Sequence, residues 1–138
     1  MKLCMARKIE CYLDTSALIA FLDRSDSYHP LFCRLFSTPP LLVTSAFVIS
    51  EGHGWFLRRY DQQRAIQFLA FIKALPDLLI QPFGPEELET ASVIVKKFHD
   101  QKLTLADAHG LAIMKDRRIQ KCWSTDRHMS LTGVSLAV

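Results

Sequence analysis

From Ile9 onward, short apolar runs alternate with longer stretches in which apolar residues recur every three or four positions. The runs "IECYL" (9–13), "LLVT" (41–44), "LLIQPF" (78–83) and "KCWST" (121–125) predict strands, and "GVSLAV" (133–138) predicts a closing one. Between them lie helical patterns. "TSALIAFLD" puts Leu18, Ile19 and Leu22 on one side, and "SYHPLFCRLFS" starts near Pro30, which suits a first helical turn. Pro39-Pro40 then breaks the chain, and "SAFVISEGHGWFLRRY" follows the second strand as a helix. In "QQRAIQFLAFIKAL" the apolar positions 65, 66, 69 and 72 have helical spacing. Pro85-Glu86-Glu87 opens another helix with acids in its first turn, as the helix dipole favours, and "LTLADAHGLAIMKD" is the last. This β-α alternation predicts an α/β fold with a mostly parallel sheet, in one domain spanning residues 1–138.

Composition changes that picture little. The chain is 49% hydrophobic and 22% charged, with a net charge of +3 that permits a nucleic-acid partner without arguing for one. Cys4, Cys11, Cys33 and Cys122 are scattered with no C-x-x-C pair, which argues against zinc and against a disulfide framework. Reduced thiols in a cytoplasmic protein are the expectation. "MKLCMARKIE" lacks the apolar run of a signal peptide, and the uncharged run from Leu35 to Ser50 is too short and too polar to span a bilayer.

The acidic residues carry the chemistry. Most of the fourteen sit in turns or on polar helix faces, but Asp14, Glu51, Asp107 and Asp126 do not. Asp14 and Asp126 follow the ends of strands, the edge at which parallel α/β sheets bind ligands. Glu51 shares a helix face with Phe47, Val48 and Trp55, and Asp107 shares one with Leu103 and Leu111. Each acid also has a plainer reading: Asp14 or Asp107 as a helix cap, Glu51 paired with a nearby Arg, Asp126 opening the turn into "RHMS". Four acids converging on one cleft would repel one another, and a hard divalent cation such as Mg²⁺ or Mn²⁺ resolves that repulsion. Such a site serves phosphoryl transfer.

The stretches "YLDTSALIAFL", "SAFVISEGHGWFL", "LTLADAHGLAIMKD" and "STDRHM", in that order, resemble PIN-domain ribonucleases. In size and spacing they are similar to the VapC-type toxins of prokaryotic toxin–antitoxin pairs. The resemblance implies a three-layer α/β/α sandwich around a mostly parallel sheet of about five strands. It implies Asp14, Glu51, Asp107 and Asp126 as catalytic residues and as ligands of Mg²⁺ or Mn²⁺. It further implies endonucleolytic hydrolysis of RNA, a homodimer, and a cognate antitoxin. The competing reading is a PIN-fold RNA- or protein-binding module without cleavage, although such modules usually lose one or more of the acids. A haloacid-dehalogenase-type phosphatase would need an Asp where Ser16 stands, and a receiver domain would need a late-strand Lys where the chain has Ser124-Thr125-Asp126.

Several neighbours complete the expectation. Thr15, Ser16 and Thr125 adjoin the acids and are placed to hydrogen-bond a carboxylate or a metal-bound water. Arg127 and His128 are candidates for RNA phosphate. His53 and His109, two residues after Glu51 and Asp107, point to other helix faces. Gly52, Gly54 and Gly110 leave the acid-bearing helices bare, either for substrate or for close packing. Arg58, Arg59, Arg64, Arg117, Arg118 and Lys121 either line an RNA path or are dispersed helix ends. "AIQFLAFIKAL" is either an interaction surface or a buried core helix.

Overall fold

The computed structural model describes residues 10–138. Cys4 and Ile9, the first residue of the expected opening strand, lie outside the described residues. The strands are β1 (Glu10–Leu13), β2 (Leu41–Ser45), β3 (Leu79–Gln81), β4 (Lys121–Trp123) and β5 (Ser135–Leu136). The helices are α1 (Thr15–Leu22), α2 (His29–Ser37), α3 (Ala46–Arg59), α4 (Gln62–Ala74), α5 (Pro85–Lys97) and α6 (Leu105–Asp116). All strand pairs are parallel and the order is β3-β2-β1-β4-β5, so the expected five-stranded α/β architecture is present.

The topology fixes where a site can form. From β1 the chain winds outward through β2 to β3, then returns to the other side of β1 for β4 and β5. The direction of winding therefore reverses beside β1, and in open α/β sheets ligands bind in the crevice at the carboxyl ends of the strands flanking such a reversal. The strands there are fully apolar inward: Cys11, Tyr12, Leu13, Val43, Cys122 and Trp123 are all buried. Register pairs Leu13 with Trp123, and the ladder runs one step further through an Asp14 N–H to Trp123 carbonyl bond of 3.1 Å. Asp14 is thus held in the sheet itself and not merely near it.

Three strands are shorter than the sequence pattern suggests. β3 stops at Gln81 because Pro82 has no N–H to continue a ladder, β4 stops at Trp123 before the expected Ser124 and Thr125, and β5 shrinks to two residues beside the three-residue β4. "RHMS" forms a turn of 3-10 helix (Arg127–Ser130) capped by Asp126, whose Oδ1 accepts from the His128 N–H at 3.0 Å. Helix α4 is a core helix, burying Ala65, Phe68 and Ile72. Gly52 explains how closely α3 meets it, since a Cβ there would lie 2.2 Å from Phe68 Cζ. Among the described residues no helix is long and apolar enough to cross a membrane.

Candidate active site

Asp14 occupies the N-cap position of α1, yet its side chain does not cap. Instead Ser124 Oγ donates to Asp14 Oδ2 at 2.6 Å and Ser16 Oγ donates to the same oxygen at 3.1 Å. Two hydroxyls on one oxygen fix the rotation of the carboxylate, as the orienting partners of metal ligands characteristically do. Asp14 is 8% exposed, and this burial pushes its carboxyl above the usual range against the pull of those hydroxyls, with Asp107 adding to the rise.

Glu51 reaches the same cleft from α3, where Thr15 Oγ1 donates to its Oε1 at 3.0 Å. It lies on the open wall, and partial desolvation together with Asp14, Asp107 and Asp126 raises its carboxyl too. Asp107 sits in the first turn of α6 in a reciprocal cap. Thr104 Oγ1 accepts from the Asp107 N–H at 3.0 Å, and Asp107 Oδ2 accepts from the Thr104 N–H at 3.3 Å. The capping reading of Asp107 and the turn-opening reading of Asp126 are therefore correct as far as they go. They do not remove either from the cleft, because caps at the ends of α6 and of the 3-10 helix lie at the same sheet edge.

Asp14, Glu51, Asp107 and Asp126 all line one open cleft of ≈ 330 Å³, with Thr15, Ser16, Ile19, Trp55 and Arg58. Among the described residues no Lys or Arg forms an ion pair with any of the four. The imidazole of His128 approaches two of them, its Nδ1 lying 3.2 Å from Asp126 Oδ1 and 3.9 Å from Asp107 Oδ2. Ligand atoms of Asp107, Asp126 and His128 fall within 4.8 Å of one another, close enough to hold one ion. A concentration of carboxylates with so little neutralising charge has the oxygen-donor chemistry that suits a hard cation.

Other expected residues fall differently. Thr125 is not among the residues lining the cleft; its backbone N–H donates to Ser16 Oγ at 2.9 Å. The hydroxyl that matters is the neighbouring Ser124, fully buried, which sequence reading passed over. Its signal was positional: Ser124 follows Trp123, the register partner of Leu13, as Asp14 follows Leu13. Arg127 is exposed and outside the cleft. His109 is buried edge-on against Phe83 and Phe47, with ring centroids 5.0 and 5.8 Å away.

The basic residues do not form one path. Arg117 pairs with Glu10 at 2.9 Å, Arg64 lies over the Phe56 and Tyr60 rings, and Lys121 starts β4 at the opposite edge of the sheet. Arg58 alone of the six lines the cleft.

These features define the class of the molecule. A PIN domain family model matches residues 11–134, and the chain belongs to that family. Ribonuclease VapC26 of Mycobacterium tuberculosis is 28% identical over 116 residues, covering 83% of this chain and 85% of that protein. Among solved structures, the sarcin–ricin-loop-cleaving toxin VapC20 of M. tuberculosis matches with a TM-score of 0.82 at 24% identity, over 90% of this chain and 95% of that one. A toxin–antitoxin complex from Klebsiella pneumoniae matches with a TM-score of 0.62 at 18% identity, over 91% and 94% of the two chains. VapBC2 from Rickettsia felis, bound to a DNA fragment of its promoter, matches with a TM-score of 0.63 at 12% identity, over 93% and 97%.

Proposed function

We propose that this chain is a divalent-metal-dependent endoribonuclease and the toxin of a toxin–antitoxin pair. The observation that carries the reading is the convergence of Asp14, Glu51, Asp107 and Asp126 on one cleft at the switch point of the sheet, with no Lys or Arg paired to them among the described residues. The four carboxylates would hold Mg²⁺ or Mn²⁺, whose preference for oxygen selects them over the His128 nitrogen. The bound ion would supply an activated water and stabilise charge on phosphate oxygens. The chain's own part is orientation. Ser16 and Ser124 fix Asp14, Thr15 fixes Glu51, and the Thr104 cap fixes Asp107.

The names of the relatives support RNA as the substrate and a protein antitoxin as the partner. A homodimer and a cytoplasmic setting belong to the same reading. Induction of the chain in a bacterial host, with transcript ends mapped afterwards, tests it. New internal 5′ ends should accumulate with wild type and be absent with Asp14→Asn. Identical end profiles for the two would overturn the reading.

A further inference from the structure

Helix α3 carries more than Glu51 into the cleft. Trp55 and Arg58 follow at i+4 and i+7, on the same helix face and about 6 and 10 Å further along the axis. Arg58 is the one cation among the residues lining the cleft, and among the described residues it pairs with none of the four acids. Its neighbours are engaged elsewhere: Arg59 lies over the Tyr60 ring, and Arg64 over Phe56 and Tyr60.

The position of Arg58 has a built cause. A Cβ on Gly54 would lie 2.9 Å from one Arg58 guanidinium nitrogen and 3.6 Å from Cζ. The guanidinium therefore folds back along the helix into the space that the missing side chain leaves. Gly54 does not serve helix packing as Gly52 does, because the atoms it admits belong to its own helix's arginine and not to α4. Beside it, the half-buried Trp55 ring is braced edge-on by Phe56 (4.9 Å, 82°) and Tyr60 (6.1 Å, 68°) while still lining the cleft. A braced aromatic ring with an exposed guanidinium one helical turn further along the same cleft is the pairing that binds single-stranded nucleic acid, the ring stacking on a base and the cation meeting a phosphate.

We propose that Trp55 and Arg58 form a nucleotide subsite for single-stranded RNA next to the four carboxylates, with Trp55 stacking on a base, Arg58 binding the adjacent phosphate, and Gly54 making room for the guanidinium. The assignment rests on the ribonuclease reading for its substrate class, but its test has an arm that needs no cleavage.

The test measures binding of a fluorescein-labelled single-stranded 12-mer RNA across a salt series, together with cleavage of the same RNA in Mn²⁺. Arg58→Ala should weaken binding about tenfold and lower the slope of log affinity against log salt by about 0.7, the share of one phosphate on a single strand. Arg58→Lys should restore the slope and part of the affinity. Trp55→Ala should weaken binding about tenfold with the slope unchanged, and Trp55→Phe should retain most of it. Gly54→Ala is the graded variant. It should raise the melting temperature by a few degrees, because alanine favours helix, and weaken RNA binding less than Arg58→Ala does, because the displaced guanidinium keeps its charge. In cleavage, Arg58→Ala and Trp55→Ala should show a raised KM with kcat changed much less, and Lys73→Ala on α4 should match wild type.

If wild type cuts RNA while Arg58→Ala, Trp55→Ala and Gly54→Ala bind and cut as it does, the subsite is wrong and the nuclease reading stands. If wild type cuts nothing, the nuclease reading fails and the binding arm alone decides the subsite. Unchanged affinity and salt slope in folded Arg58→Ala, or unchanged affinity in folded Trp55→Ala, overturns it.

Discussion

A carboxylate buried to 8% exposure on the end of a central strand is an unfavourable choice for a folded protein unless something opposite in charge joins it. The raised pKa of Asp14 is the measure of that strain, and its sign gives a prediction. A group whose pKa is higher folded than unfolded contributes stability while protonated and loses it as pH rises through the folded value. Metal-free Asp14→Asn should therefore melt a few degrees above metal-free wild type near neutral pH, at roughly 3–5 °C per kcal/mol for a chain of this size. The gap should close as pH falls through the raised Asp14 pKa, and differential scanning calorimetry at several pH values reads it. With Mn²⁺ the order should reverse, because only the carboxylate form gains the ion. Ser124→Ala removes the 2.6 Å bond that steadies Asp14. We expect Mn²⁺ affinity to fall about tenfold by calorimetric titration, and the acid limb of any pH–rate profile to move to higher pH, since the lost hydroxyl no longer offsets burial. At this scale Asp14 was legible as a strand-end acid, whereas Ser124 was not. Its role depends on β4 lying beside β1, a pairing distant in sequence.

At the scale of elements, α3 does two different things with two glycines three and one residues after Glu51. Gly52 lets α4 pack close, and adding a methyl there drives it into the buried Phe68 ring. Gly52→Ala should destabilise by about 1–3 kcal/mol in urea unfolding despite its better helix propensity, the reverse of what Gly54→Ala should do. The sequence showed that both were unusual but could not separate them, because separation depends on which way each Cα faces the hairpin partner. The helices themselves were legible from their 3.6-residue periodicity and their opening prolines, Pro30 and Pro85, which stand in the first turns of α2 and α5. Strand lengths were less so. "LLIQPF" and "GVSLAV" look longer than β3 and β5 are, since apolar residues beyond a short edge ladder still pack on the core without pairing. The dual service of Asp107 and Asp126 as caps and as cleft acids was also legible, though it read as a choice between alternatives. Helix starts and ligand edges coincide at the carboxyl end of a parallel sheet, so one carboxylate meets both demands.

For the whole molecule, the sheet order β3-β2-β1-β4-β5 turns four acids scattered between positions 14 and 126 into one site. Long-range order of this kind is what made the family resemblance informative: the four motifs are the points at which the chain returns to the switch-point edge. The mild net charge of +3 hides a local separation, with a cluster of acids in the cleft and a single arginine at its rim. Removing the cation should therefore matter more than removing any one surface charge. The most direct test is cleavage of a labelled single-stranded RNA by the purified protein, free of any partner, with Mn²⁺ or Mg²⁺, with chelator, and with chelator followed by excess Mn²⁺. Cleavage should occur with metal, be lost in chelator and return on adding Mn²⁺ back, and should be absent under every condition for Asp14→Asn and Asp107→Asn. Metal-independent cutting, or cutting by both folded variants at the wild-type rate, would contradict the metal-dependent reading.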